Sequence, residues 1–450
     1  LAAHMLDSIL FADQFGTAEM RNIFDDENLI QKWLDVEVAL AKAEAELGII
    51  PKEAAEEIAR KGKVAFLDLA EMKRQVEVTG HPIVPLIRVF RDACAGDAGE
   101  YIHWGATTQD IMDTAVILQL KEAYELIEKQ LTEVHRAASL LAQKYRDVPM
   151  PGRTHGQHAL PITFGYKVAI WVGEMGRHLE RLRESRKRVL VGNFAGAVGT
   201  LASLGYQGLE VQRLMMKELG LEVPDVAWHV SRDRIAEFLC VVGLIASTLG
   251  KIANEIINLQ KTELGEVEEP FVIGKVGSST MPHKRNPMIC ENIVALTRII
   301  RAQVPLALET AYHQEHERDM SSWQAEWEFL PEVCILLSAA LKYSEHVLRN
   351  LTVYPAKMYE NLNISGGLIM SEAVMLRLAR EIGRQKAHDL IYQITMECFE
   401  KGIALVEGLC SHPVVGQLLS RDEVEHLLDP VNYTGLSAYF VDRITKAHEV

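Results

Sequence analysis

A chain of 450 residues, 48% apolar and 24% charged, carries enough apolar side chain for two or three packed cores and is far from the composition of a disordered polymer. A formal charge of −15 argues against nucleic acid or an anionic membrane as the main partner, and any positive charge used on an acidic substrate must be concentrated locally. The six cysteines (Cys94, Cys240, Cys290, Cys334, Cys398 and Cys410) stand singly with no Cys-x-x-Cys pair, so they read as thiols of a reducing cytosol, neither a disulfide frame nor a zinc site.

Residues 1–4, ahead of Met5, read as a vector remnant; no leader is expected, and the expected location is cytoplasmic. Residues 5–110 pattern as short helices joined by turns such as Ile50-Pro51 and Gly96-Asp97. Within them His81 sits between Gly80 and Pro82, a candidate acid, base or substrate ligand. The stretch Tyr101-Ile102-His103-Trp104-Gly105-Ala106-Thr107-Thr108-Gln109-Asp110 leads into a long helical pattern. The start of such a helix presents unpaired N–H groups and a positive dipole end, which suit a carboxylate, and Thr107 and Thr108 add hydroxyls there. Thr108 or Asp110 is expected to cap it.

From 111 to 147 there is no glycine or proline, and apolar residues recur three to four apart, which predicts one helix of about 55 Å ended by Pro149 and Pro151. A constrained loop is expected from 151 to 161, holding Arg153, His155 and His158. The two histidines lack a nearby carboxylate or thiolate, so proton transfer suits them better than metal binding. Further long helices are predicted at 162–190, 231–263, 287–312 and 324–350, and no β-hairpin is expected. Gly173, Gly176, Gly243 and Gly250 inside them each cost about 1 kcal/mol against alanine, which close helix–helix approach would account for. The uncharged run 189–209 approaches the roughly 20 residues of a membrane span, but five glycines, Asn193 and Gln207 interrupt it, so a buried connection is expected instead.

The densest chemistry lies in Gly277-Ser278-Ser279-Thr280-Met281-Pro282-His283-Lys284-Arg285-Asn286-Pro287. Glycines ahead of it and prolines within it predict a mobile loop ending in an anion-binding edge. Lys284 supplies a point charge and Asn286 an amide donor for a carboxylate, and nearby positive charge favours ionisation of a serine. Glu291, just beyond, is placed either to orient a histidine or to complement a helix dipole.

The three segments, in this order, resemble the three motif regions of the fumarase/aspartase superfamily, over essentially the whole chain from Met5. The resemblance implies an all-α, three-section fold: an N-terminal helical domain 5–110, a central long-helix bundle 111–360 that tetramerises, and a C-terminal helical domain 361–450. It also implies active sites shared between the subunits of a homotetramer, and anti β-elimination or the reverse addition on a small polycarboxylate, with no metal or organic cofactor. By the same resemblance Ser278 is the general base, Ser279 a supporting donor, and His155, oriented by Glu291, the partner acid. Thr107, Thr108, Lys284 and Asn286 then stabilise the doubly charged aci-carboxylate, with His103 and Arg153 lining the pocket.

Two features bear on the subfamily. Trp323-Gln324-Ala325-Glu326-Trp327 and His103-Trp104-Gly105-Ala106-Thr107-Thr108-Gln109-Asp110 resemble the 3-carboxy-cis,cis-muconate cycloisomerases. Adenylosuccinate lyases carry an arginine for the nucleotide phosphate about where Trp327 stands, a task beyond an aromatic ring. His81 instead resembles the adenylosuccinate lyases, which have a functional histidine in that stretch. The expected activity is therefore cycloisomerase-like lactonisation, with Trp327 and His81 in the site; the alternative is a fumarate-releasing C–N lyase.

Overall fold

A computed structural model describes residues 4–271, 280, 281 and 283–447. In chain order the elements that position the site are helices α1 (Asp26–Glu46), α2 (Leu69–Thr79), α3 (Ile83–Ala93) and α4 (Thr108–Lys144). Strands β1 (Pro149–Thr154) and β2 (Gln157–Thr163) follow, then helices α5 (Phe164–Val189), α6 (Tyr206–Leu219) and α7 (Asp233–Gln260). The chain continues through β3 (Val267–Glu268), α8 (Met288–Tyr312), α9 (Met320–Asn350) and β4 (Thr352–Val353), and then through shorter helices beginning with α10 (Ser371–Ile382) and α11 (Arg384–Lys401). Contacts divide it into two compact units: residues through Leu131 with His178–Ser247 and Ala295–Leu341, and Thr132–Arg177 with Thr248–Val294 and residues from Lys342 on.

In the first unit, Asp25 caps α1 by accepting from the Asn28 N–H at 2.8 Å, and the helix buries Trp33, Leu34, Val36, Leu40 and Ala43. The inward stripe Trp33, Glu37, Leu40, Glu44 has helical spacing but includes two carboxylates, both fully buried. At Gly243 on α7 an added Cβ would come within 2.7 Å of the Val304 side chain on α8, so the close approach expected for this glycine is present. The segment after α5 is irregular and buries Leu190, Val191, Phe194 and Ala195, as the broken-up 189–209 run predicts. Among the described residues, α7 is the helix long and apolar enough to cross a membrane, and 67% of its most apolar window is buried in this fold.

The second unit corrects the all-α expectation: the fold is mostly helical, with two small antiparallel sheets among the described residues. β1 and β2 form a hairpin where a loop was expected, pairing Thr154 with Gln157 across a two-residue turn. His155 (φ 53°) and Gly156 (φ 77°) occupy that turn, and two successive positive-φ residues fit the right-handed twist of a hairpin. Pro151 stands opposite Pro161, and the register shifts between Pro151 and Arg153; two-stranded edges tolerate prolines where a central strand would not. Gly173 on α5 is only in ordinary contact with Ile444, 3.4 Å from a built Cβ. The helices from α10 onward enclose their own core of Val374, Leu378, Ile391, Ile394, Leu405 and Leu409.

Glu44 has no hydrogen-bonding partner for either carboxyl oxygen within the described residues. Burial first, and the Glu37 carboxylate second, push its pKa up to about 9. A raised native pKa contributes stability that is complete below the unfolded value and is lost as pH climbs towards the native one. Replacing Glu44 with methionine therefore removes a penalty that grows with pH. The melting temperature of Glu44→Met relative to wild type should rise steadily from pH 5 to pH 9 in thermal denaturation; a difference independent of pH would contradict a neutral buried Glu44.

Candidate active site

The first unit organises the start of α4. Thr107 precedes the helix, and its N–H donates to the Asp110 carboxylate at 3.0 Å, half of a capping box. Asp110 is fully buried and also accepts from the N–H groups of Ala195 and Gly196 and meets His229 Nε2 at 2.8 Å. One turn on, buried Asp113 accepts two bonds from Arg232 (2.8 and 3.1 Å) and one from the Trp323 indole N–H (3.0 Å). Glu326 takes the remaining side of Arg232, through Nε at 2.9 Å and through Nη2. Burial works against the charge of Arg232, yet the two carboxylates hold its pKa well above the ordinary value; burial raises that of Glu326 against the pull of Arg232. Trp228 stacks on the guanidinium, 4.9 Å from ring centre to carbon.

Above this network, Arg318 donates to Thr107 Oγ1 at 3.2 Å and to the Ala197 carbonyl at 3.0 Å. His103 sits at φ 64° with Nδ1 2.7 Å from buried Glu37. Burial alone would lower the imidazole pKa; the charge and hydrogen bond of Glu37, with a smaller push from Asp110, carry it above the ordinary value. Among the described residues, three of the four non-glycine residues with positive φ are histidines, His103, His155 and His316, and the first two lie in segments that the sequence marks.

Beside the network lies a cavity of about 190 Å³ lined by Trp33, Met112, Val116, Trp323, Trp327 and Leu330 among others. Trp323 is core, whereas half-buried Trp327 crosses it edge-on at 5.1 Å and faces the cavity. Among the described residues, the Trp33 Nε1–H is buried with no acceptor. His81, in the turn between α2 and α3, likewise has a buried Nδ1 without a partner, and the next residue, Pro82, lines the cavity.

The second unit carries the remaining positions. His155 is exposed at the hairpin tip. Arg153 is held bidentately by buried Glu266 at 2.9 and 2.5 Å, and Glu266 also accepts from Asn361 at 2.8 Å. Arg153 is thus tied to a fixed carboxylate. His158, paired with it across the hairpin, is pushed below the ordinary pKa by burial and by the Arg153 charge. Ser278 and Ser279 lie outside the described residues.

The base of the 265–287 segment is clamped on both sides. Gln260 bridges the Glu269 N–H (2.9 Å) and the Arg285 carbonyl (3.2 Å), and Arg285 donates to Glu268 at 2.9 Å while lying 4.5 Å over the Phe271 ring. Glu269 accepts from the N–H groups of Ile289 and Cys290, occupying the start of α8. Lys284 is exposed and Asn286 half-buried beside that clamp. Glu291 is exposed, and among the described residues it shares no hydrogen bond with His155.

One unit therefore carries Thr107, Thr108, His103 and Arg318, with Trp327 at the cavity and His81 next in sequence to the lining Pro82; the other carries Arg153, His155, Lys284, Asn286 and Glu291. Sequence reasoning passed over Glu37, Arg318 and Glu269. For Glu37 a signal was present: a carboxylate on the inward stripe of a helix needs a buried partner.

A lyase family model matches residues 14–304, and a model of the adenylosuccinate lyase C-terminus matches 367–444. The chain is 48% identical to an N-acetyl-S-(2-succino)cysteine lyase of Enterococcus italicus, over 99% of this chain and 98% of that one. It is 44% identical to a protein of the same name from Dickeya dadantii, again over 99% and 98%. The crystal structure of 3-carboxy-cis,cis-muconate lactonizing enzyme from Pseudomonas putida superposes with a TM-score of 0.92 at 37% identity, covering 98% of this chain and 99% of that one.

Replacing Glu37 with glutamine removes the charge that raises His103 and leaves burial, which lowers it. In histidine-labelled protein followed by NMR, His103 should titrate above the ordinary histidine value in wild type and at or below it in Glu37→Gln. Identical titration midpoints would show that Glu37 does not set the protonation of His103.

Proposed function

This chain belongs to the fumarase/aspartase superfamily of lyases, and from that premise we propose that it splits a succinylated thioether into fumarate and a thiol. The observation that carries this reading is the cavity beside α4. Where a nucleotide-handling relative would need a free cation, this chain has Trp327, and the one arginine in the wall, Arg232, is consumed by Asp113 and Glu326. Such a wall offers no unpaired cation to a phosphate and suits a compact, largely apolar part of a leaving group. The names of the two relatives at 48% and 44% identity support a carbon–sulfur bond as the one broken.

In this reading a base removes the proton on the carbon next to the far carboxylate, the electron pair forms the C=C bond of fumarate, and sulfur leaves as a thiolate that takes up a proton. Ser278 is the proposed base, supported by Ser279. Lys284, Asn286, Thr107 and Thr108 hold the doubly charged intermediate, and His155, paired with Glu291, handles the second proton. Because those positions lie on separate segments, the site is proposed to form between subunits of a homotetramer. The long helices support this by leaving Leu244, Ile299, Leu306 and Leu308 each at least 36% exposed, an apolar surface suited to burial between copies.

A second reading, 3-carboxy-cis,cis-muconate cycloisomerase-like lactonisation, is favoured by the Trp-x-Ala-Glu-Trp segment and by the likeness to the lactonizing enzyme. His81 weighs against it and favours elimination, as does the C–N alternative, in which an amine replaces the thiol.

The purified protein should release fumarate from N-acetyl-S-(2-succino)cysteine, followed by ultraviolet absorbance, at least a hundredfold faster than from adenylosuccinate. Lactone formation from carboxymuconate with no fumarate from the thioether would overturn the reading. Ser278→Ala should abolish turnover with the oligomer intact by light scattering; near-normal turnover would refute the base assignment. Lys284→Met should raise KM and lower kcat together, since it removes charge from both bound and transition states; an unchanged kcat would confine Lys284 to substrate binding.

A further inference from the structure

Three carboxylates stand close together in sequence at β3, and each is committed to a different part of the second unit. Glu266 holds Arg153 and Asn361, and Glu269 takes the first N–H groups of α8. Glu268, between them, accepts from Arg285 at 2.9 Å through one oxygen and from the Tyr354 hydroxyl at 2.6 Å through the other. Its backbone is fixed as well: β3 pairs with β4 and sets Glu268 opposite Thr352, and the Tyr354 N–H donates to the Glu266 carbonyl at 2.9 Å. The hydrogen bond to Glu268 keeps the Tyr354 phenol above its ordinary pKa, so the hydroxyl stays a donor. The direction of the Glu268 carboxylate is therefore set by β4 and Tyr354 as well as by Arg285.

Arg285 is the residue on which these contacts converge. Glu268 holds its guanidinium, which lies 4.5 Å over the Phe271 ring, and Gln260 donates to its carbonyl at 3.2 Å. Side chain and backbone are thus pinned separately. Its neighbours in the chain are Lys284 and Asn286, the two groups that the reading above gives to a substrate carboxylate. Of the two adjacent cations, Arg285 is balanced by Glu268, whereas Lys284 is exposed and among the described residues has no acidic partner. Folding stability does not account for the arrangement, because the Arg285 side chain is 52% exposed and a half-exposed pair contributes little.

We propose that Glu268 is a positioning residue for the substrate carboxylate. By pinning Arg285 it places Lys284 and Asn286 on either side, and by taking the Arg285 charge it leaves Lys284 as the cation that the ligand meets. The proposal rests on the lyase reading above, in which Lys284 and Asn286 hold the substrate and fumarate is a product. It adds to that reading a residue that acts through Arg285 and touches no ligand itself.

The sign of the effect is diagnostic. Coulomb's law alone has a dianion bind more tightly once a nearby carboxylate is neutralised, whereas positioning predicts the reverse. In calorimetric titration of the full-length protein with fumarate, Lys284→Met should weaken binding at least about tenfold, the loss of one charge-assisted hydrogen bond. Glu268→Gln should weaken it about fivefold, with the melting temperature and the oligomer unchanged. Arg285→Gln should weaken it to a similar extent, and the double variant no more than either single one, because both act through one contact. Arg285 is half-exposed, so Arg285→Gln supplies the test if Glu268→Gln misfolds. Unchanged or tighter fumarate binding in these variants, or losses that add in the double variant, would overturn the positioning role. A Lys284→Met protein that binds fumarate as wild type does sinks both the role of Lys284 and the proposal. Weakened binding in Lys284→Met beside unaffected Glu268→Gln and Arg285→Gln sinks the proposal alone. Fumarate release from the thioether is read separately, and its failure alongside the predicted binding pattern sinks the thioether reading alone.

Discussion

Two carboxylates three residues apart on α4, Asp110 and Asp113, are taken wholly out of water. Burying an unpaired charge costs several kcal/mol, so each must be met by fixed donors, and the first unit is arranged around meeting them. Asp110 gathers the backbone of 195–196 and His229; Asp113 gathers Arg232 and, through it, Glu326, and also the indole N–H of Trp323, which Trp327 crosses edge-on. The same bonds fix the start of α4, with Thr107 and Arg318 presented above and the cavity below. A single charge-satisfaction problem thus sets both the Thr107–Arg318 edge and one wall of the cavity.

The second unit uses the same device. Buried Glu266 fixes Arg153 and Asn361, and buried Glu269 fixes the first N–H groups of α8. The consequence for chemistry is specific. With Glu269 already at the start of α8, the dipole there is spent on the protein itself, and in the proposed reading a substrate carboxylate is met by the side chains of Lys284 and Asn286. Arg153, locked to Glu266, is in the same position: its charge is balanced before any ligand arrives.

The long helices were legible because glycine-free and proline-free runs with three-to-four periodicity leave little choice; 111–147 was expected and Thr108–Lys144 is found. The hairpin at Pro149–Thr163 was not legible. Its prolines read as loop breakers, and only His155-Gly156 carries the positive-φ turn chemistry that reveals it. The motif segments stood out as dense clusters of ligand-type residues, but their buried supports did not. Glu37 and Glu269 hide in ordinary-looking stretches, and their roles depend on long-range partners that periodicity cannot supply. Trp327 was legible as an oddity, whereas nothing in the sequence marks Trp33, whose N–H, unpaired among the described residues, is visible only in three dimensions.

The central claim is that donors from separate segments converge on a dicarboxylate to make its deprotonated form tolerable. The most direct measurement is a crystal structure of the assembled protein with fumarate bound. The account predicts one carboxylate of fumarate within hydrogen-bonding distance of Thr107 or Thr108, with Lys284 and Asn286 around the same ligand and the Ser278 hydroxyl facing its carbon atoms. Fumarate seated away from all of these groups, with residue 278 turned from it, would contradict the account.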